Sequence, residues 1–453
     1  MLVDLLPALM FVTLVLFIFS GLPVAVVLGG VSLFFALLGL ALGEIRLAHL
    51  PLVVNRIFSG IVANPVMVAV PMFVLMGTLL EKSGIAEDLL DGLQILMRRV
   101  PGGLAIAVTM MGTILAASTG IIGASVAMLT LLALPMMLRS GYAPSLATGT
   151  IAASGTLGIL IPPSIMLVIM GDLLTISVGK LFMAALVPGL MLSVLYLLYI
   201  VTASFLKPQL APRASTPLTA EERRLLWVKL GGGLVPPSLL IGLVLGSILG
   251  GWATPTEASG VGALGALVLA LVRRRLDFKA LNDVLSRSLD TVSMIFFIFV
   301  GATAFSYLFR RFGGEHFVLS LVDQTALGPW GVLAVLMLLI FLLGFFFDWI
   351  EITLIILPIF APIVGALDFG THVAPRDAVY WFAILVALNL QTSFLTPPFG
   401  FALFYLKGTA RKLVTLKQIY RGIVPFVLLQ GLALGLVLAF PKVALWLPNL
   451  LFD

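Results

Sequence analysis

The chain has 453 residues, 61% of them hydrophobic and only 10% charged, with a mean hydropathy of +1.20. That balance excludes a soluble globular domain, and apolar stretches of about 20 residues, each able to cross a bilayer as a helix, recur from end to end. The net charge of +6 does not point to nucleic acid, because the basic residues form short clusters between apolar runs, where the positive-inside bias places them.

No cysteine is present, so disulfides, thiolate metal sites and cysteine nucleophiles are excluded. His49, His316 and His372 lie far apart, which argues against a transition-metal centre. No alternating ten-residue pattern suggests a barrel. The expected class is an all-α polytopic membrane protein. Its N-terminus lacks a basic n-region, so Leu5 to Phe19 reads as a retained helix.

In chain order, spans near 1 to 20 and 22 to 43 form a helical hairpin around Gly21-Leu-Pro23. A polar patch, Glu44 to Arg56, leads to a span near 65 to 82, entered at Asn64-Pro65. Residues 84 to 99 alternate Glu87, Asp88, Asp91, Arg98 and Arg99 with leucines, an amphipathic arm expected to lie along the interface. From Pro101 to Leu138 there is no charge, yet Ser118 to Ser125 is polar and glycine-bearing. This stretch, 101 to 139, is either two full spans or a re-entrant hairpin. The uncharged turn favours re-entry, since a tip at membrane depth must be buried in protein or line a wet cavity. Next come a segment at 143 to 172, broken by Ile161-Pro-Pro-Ser164, and a span near 177 to 206.

Lys207 to Arg224 is polar and proline-rich and reads as a cytoplasmic linker. The order of elements then repeats. Spans near 228 to 250 and 255 to 272 precede a basic loop, Arg273 to Lys279. A span near 283 to 309, a polar arm at 310 to 324 and a second hairpin at 330 to 366 follow. A second broken segment, 377 to 408, contains Asn389-Leu-Gln-Thr-Ser-Phe-Leu-Thr-Pro-Pro-Phe-Gly400, and the final span lies near 421 to 446. The Pro-Pro pairs at 162/163 and 397/398 differ by 235, and the Leu-Pro pairs at 134/135 and 357/358 by 223. On the second offset Ser125 falls opposite Asp348. Residues 1–206 and 225–453 are therefore expected to be two repeats joined by the linker 207–224. With the linker inside, the positive-inside bias orients the halves oppositely and puts both termini in the periplasm; Arg310 and Arg311 do not fit it.

A Pro-Pro pair removes two backbone donors and favours a new helix start, so each broken segment should be two half-helices. The first exposes carbonyls suited to a cation, and the second exposes amides and a positive dipole end suited to an anion. Ser154, Gly155, Thr156 and Ser164, with Asn389, Gln391, Thr392, Ser393 and Thr396, add neutral oxygens and amides. The competing reading is kinked packing helices glued by small polar residues. Asp348 and Glu351 are the only acids between Gln324 and Leu367, and an acid at membrane depth should pair, titrate or hold a cation. Asp348, at the hairpin tip, is the better cation ligand, whereas Glu351 is as readily structural. Glu257 reads as a helix-start cap, and Asp172 as interfacial. No phosphate loop or hydrolase constellation is present, so an enzyme is not expected.

These motifs, Gly123-Ala-Ser125, Gly141-Tyr142, Gly155 to Ser164 and Asn389 to Gly400, with Val70-Pro-Met-Phe-Val-Leu-Met-Gly77 and Pro101-Gly-Gly103, resemble the large membrane subunit of tripartite ATP-independent periplasmic (TRAP) transporters. The resemblance runs over nearly the whole chain. It implies an inverted-repeat, elevator-type secondary transporter of the inner membrane that takes up a small organic acid with sodium as the coupling ion and no cofactor. A periplasmic binding protein would deliver the acid, and a small four-helix membrane subunit on a separate chain would be a partner. By position, it implies sodium-binding at Ser118, Gly123, Ser125, Ser154, Gly155 and Thr156, and at Asp348, Gln391, Thr392, Ser393 and Thr396. It implies substrate-binding at Pro163, Ser164, Asn389, Pro398 and Gly400. Ala124 stands where the family often has serine, so no side-chain ligand is expected there. The alternatives are another ion-coupled carrier without a binding protein, or a passive channel.

Overall fold

In hydrocarbon every backbone N–H and C=O must be satisfied within its own segment, and the apolar runs of this chain accordingly fold as helices. The computed structural model describes residues 5–212, 219–324, 327–397 and 400–452; among these there is no strand, and ten helices are long and apolar enough to cross a membrane.

In the first half, α1 (Leu6–Ile18) and α2 (Val24–Ala41) are followed by α3 (Leu50–Ile57), which passes into a π-helical turn, Phe58–Val62, before α4 (Ala69–Lys82). The arm is α5 (Ile85–Met97), and the first hairpin is α6 (Gly103–Thr119) with α7 (Ile122–Arg139). The first broken segment is α8 (Pro144–Thr156) with α9 (Ile165–Leu173), and α10 (Val178–Leu206) closes the half. The second half runs through α11 (Ala220–Leu249), α12 (Pro255–Val272) and α13 (Phe278–Arg311) to a second arm, α14 (Gly314–Gln324). Its hairpin is α15 (Pro329–Leu343) with α16 (Trp349–Ala366), its broken segment α17 (Ala378–Leu395) with α18 (Phe401–Ala410), and α19 (Leu416–Ala439) and α20 (Lys442–Phe452) end the chain.

Three boundaries differ from those expected of the sequence. The patch Glu44 to Arg56 contains α3, whose short amphipathic pattern is too weak to mark a span. Helix α11 starts at Ala220, inside the expected linker, because Glu221 to Arg224 are good helix formers. The expected final span at 421 to 446 is two helices, since Pro441 supplies no N–H and ends α19.

The packing is reciprocal. Helix α4 of the first half lies along α12 of the second, while α13 of the second lies along α2 of the first. These helices, with α1 and α11, present Leu33, Phe34, Trp227, Leu239 and Leu264 outward, as a lipid-facing surface would. The inner body is built on α8 and α17. Of the most apolar part of the α17 span, 89% is buried, against 28% for the α11 span, and α8 is buried continuously from Leu146 to Thr156. Helix α8 crosses α19 with almost no side chain between them: a Cβ on Gly149 would stand 2.1 Å from the Gly422 carbonyl oxygen, and one on Gly422 2.0 Å from that of Ser145.

The arm α5 turns Ile85, Leu89, Leu90 and Leu93 inward and packs against α11. Asp88 binds Lys229 at 2.6 Å and Arg273 at 2.7 Å, and Lys229 also reaches Asp91 at 3.2 Å. Burial pushes the Asp88 carboxyl up, but the hydrogen bonds from Lys229 and Arg273 outweigh it and hold the group below the usual carboxylate range. The stabilisation is therefore present at neutral pH and is lost as pH falls through the lowered value. Asp88→Asn should lower the melting temperature of the purified protein at pH 7, and the gap to the parent should close in acid; an equal gap at every pH would mean that the ion pair contributes nothing.

Candidate functional site

Each broken helix stops where its prolines dictate. After Thr156 the chain makes one 3-10 turn, Leu157–Ile159, and resumes at Ile165; Pro162 and Pro163 cannot donate, and the Ser164 hydroxyl spans the gap by donating to the Ile159 carbonyl at 2.8 Å. Helix α17 ends at Leu395, Thr396 is extended, and α18 starts after Gly400, whose φ of +40° lies in the region that favours glycine.

The hairpin tips pack on these breaks. At the first tip Gly120, with φ of +57°, approaches Ile165 at the start of α9, and a Cβ on Gly123 would stand 2.6 Å from the Tyr405 ring of α18. At the second, a Cβ on Gly344 would stand 2.0 Å from the Ser393 hydroxyl oxygen. Both tips thus pack against the broken helices.

Three of the residues expected around sodium line one small cavity. Ser125 of α7 and Ser154 and Gly155 of α8 surround a cavity of about 10 Å³ with Gly112 and Leu115 of α6. That is about the volume of a single water-sized sphere. It exists because α7 and α8 meet closely: a Cβ on Gly155 would stand 2.5 Å from Val126. Ser125 donates to the Ile121 carbonyl at 3.0 Å and Ser154 to the Thr109 hydroxyl at 3.3 Å. The Ser154 proton is engaged, so its oxygen keeps lone pairs for a hard cation. Thr156 faces elsewhere. Its hydroxyl donates to Ala153 at 2.9 Å and meets Tyr196, which in turn accepts from Gln430 at 2.8 Å. Ser118 lies in the last turn of α6, and its side chain is outside the described residues.

In the second half Thr392, Ser393 and Thr396 donate to the carbonyls of Leu388, Leu390 and Thr392 at 3.0, 2.9 and 2.6 Å, again leaving oxygens with lone pairs. Gln391 differs. It is fully buried, and among the described residues neither amide atom has a hydrogen-bond partner. An unmatched buried amide is costly, so this side chain is the clearest sign of a ligand. Asn389 donates to the Met337 carbonyl at 2.6 Å and fastens α17 to α15. Pro163 and Gly400 flank the two breaks, and Pro398 lies outside the described residues.

Asp348 is the N-cap of α16: its carboxylate accepts from the Trp349 amide at 2.7 Å, while Glu351 accepts from the Asp348 amide at 3.1 Å. This reciprocal cap gives both acids a structural task. Among the described residues no lysine or arginine pairs with either, so two acids sit one turn apart at the tip without a counter-ion. Tyr405 of α18 covers Gly123 at the first tip. Sequence reasoning misses it, because one tyrosine in an apolar helix carries no local signal. Glu257 caps α12 with Thr254 as expected, and Asp172, expected at the interface, accepts twice from Asn64 at 2.9 and 3.0 Å.

Two broken helices thus face two hairpin tips, and the comparison with known proteins decides the family. Residues 11–443 match the DctM component of the tripartite ATP-independent periplasmic transporters. The chain belongs to this family. The DctM-family relatives include the C4-dicarboxylate TRAP transporter large permease DctM of Pseudomonas aeruginosa, 33% identical over 84% of this chain and 86% of that one. The ectoine/5-hydroxyectoine large permease UehC of Ruegeria pomeroyi is 29% identical over 98% and 99%, and the sialic acid large permease SiaM of Vibrio cholerae 28% over 96% of each. Among solved structures, the YdaH transporter of Alcanivorax borkumensis has a TM-score of 0.61 at 13% identity over 89% of each chain, a likeness of fold alone. This DctM-family protein is a multi-pass large permease and not an enzyme.

Proposed function

We propose that the protein carries a small organic acid across the inner membrane together with sodium, receiving it from a periplasmic binding protein and working with a small four-helix membrane subunit on a separate chain. The relatives named for C4-dicarboxylates and sialic acid support the substrate class. The observation that carries the reading is the pairing of each hairpin tip with a break, with the unpartnered Gln391 amide beside it. Ser125, Ser154 and Gly155 supply oxygens to one sodium, and Asp348 with Gln391, Thr392, Ser393 and Thr396 to another. The helix starts after Ser164 and Gly400 face the acid, because their free amides and positive dipole ends favour an anion. In this reading the body built on α8 and α17 travels as an elevator against a frame of α2, α4, α12 and α13. The termini lie in the periplasm.

The test is uptake into proteoliposomes holding all three components, with a sodium, potassium or proton gradient applied alone. Only the sodium gradient should drive accumulation; uptake indifferent to sodium would sink the coupling. Asp348→Asn should raise the sodium concentration for half-maximal rate about tenfold, the equivalent of about 1.4 kcal/mol, with unchanged protein abundance. Unaltered sodium dependence would leave Asp348 as a helix cap only.

A further inference from the structure

A separate concavity of about 480 Å³ lies between the frame and the inner body, and Arg56, Arg310 and Arg311 all line it. That volume suits a small-molecule ligand. One wall is a stripe of α13, Thr303, Ser306, Tyr307 and Arg310, at the i, i+3, i+4, i+7 spacing of a single helix face. A polar stripe on an otherwise apolar spanning helix must face water or a polar ligand. The facing wall comes from the inner body, at Leu173, the last residue of α9, and at Leu354 and Pro358 of α16.

The cavity is electropositive. Arg310 pairs with Glu315 at 3.2 Å, but among the described residues no carboxylate pairs with Arg56 or Arg311; Arg311 reaches only the His49 ring, at 3.3 Å. Guanidinium groups match the planar, two-oxygen geometry of a carboxylate. Arg310 also crosses the gap, donating to the Pro358 carbonyl at 2.9 Å. That carbonyl is free because its helical donor would be the amide of residue 362, and Pro362 has none. The cavity is offset from the paired breaks: its nearest residue on α16, Leu354, is six residues beyond Asp348, about 9 Å along the helix, and Leu173 is nine beyond Ser164, about 14 Å along α9.

We propose that this cavity is a receiving site for the carboxylate of the transported acid, ahead of the paired breaks. Arg56 and Arg311 hold the anion, and Arg310 exchanges the Pro358 carbonyl for it, releasing a contact between frame and inner body. This rests on the proposed function, and it gives Arg310 and Arg311 a reason to stand on the periplasmic side against the positive-inside bias.

The test is binding of radiolabelled succinate to the purified chain in phosphatidylcholine nanodiscs in sodium-free buffer. Saturable binding is expected, competed by unlabelled succinate but not by the neutral succinamide. Arg56→Gln with Arg311→Gln should weaken it at least tenfold, and the double lysine variant should restore most of it, which separates lost charge from misfolding. No saturable binding, or binding indifferent to the double glutamine variant, overturns the proposal. Binding that survives that variant but vanishes in Gln391→Met moves the anion to the breaks and also overturns it. Loss of binding in phosphatidylglycerol nanodiscs would assign the cavity to a lipid phosphate instead, and the proposal would fall on that result too. Because no sodium or transport enters the measurement, a failed sodium-uptake result leaves this site standing, and intact sodium uptake without succinate binding refutes this site alone.

Discussion

Gln391→Met should abolish sodium-driven uptake, by at least a hundredfold, while the purified, sodium-free protein melts at a higher temperature than the parent. The two effects have one cause. Methionine has nearly the shape of glutamine, so packing around the fully buried side chain is kept. It also removes an amide whose two polar atoms have no partner among the described residues. Leaving such a group unmatched costs about 1–3 kcal/mol, and an apolar replacement of the same shape recovers part of that. The same amide can offer an oxygen to sodium and an N–H to the acid. Uptake assays with thermal melts of the same preparation check both halves. Uptake within a few-fold of the parent would remove Gln391 from the site, and a lower melting temperature would mean that the amide is satisfied in the folded protein.

Gly149→Val should destabilise the protein by about 3 kcal/mol, the upper end of ordinary overpacking, and sharply reduce the folded yield. The added Cβ would meet the Gly422 carbonyl oxygen at 2.1 Å and its carbon at 2.6 Å. Backbone atoms inside two helices cannot swing aside as a side-chain end can. The matching clash at Gly422, against the Ser145 carbonyl oxygen, makes the contact mutual and predicts the same loss for Gly422→Val. Gly431 and Gly435 on the same helix α19 have nothing within 4 Å of an added Cβ. Gly431→Ala should therefore be neutral, or stabilising by up to about 1 kcal/mol from helix propensity. Monodisperse yield and melting temperature in detergent measure the contrast; equal effects at Gly149 and Gly431 would show that α8 and α19 do not cross closely.

The sequence by itself determined the features that act locally along the chain. Long apolar runs gave spans, the two Pro-Pro pairs gave two broken helices, and Thr254-Pro-Thr-Glu257 gave a helix start, because each depends on residues within one or two turns. It also marked Ser125, Ser154, Gly155 and Gln391, since polar groups beside a break stand out in an apolar background. Tertiary structure decided which of these face one another. Nothing local tells Ser125 that it shares a cavity with Ser154, turns Thr156 toward Tyr196, or fastens Asn389 to Met337. Tyr405 against Gly123, and Arg310 on the carbonyl freed by Pro362, are likewise contacts between distant segments. Local sequence sets where a helix stops and what it offers there; which partner takes the offer depends on close packing, and that exists only once the helices have met.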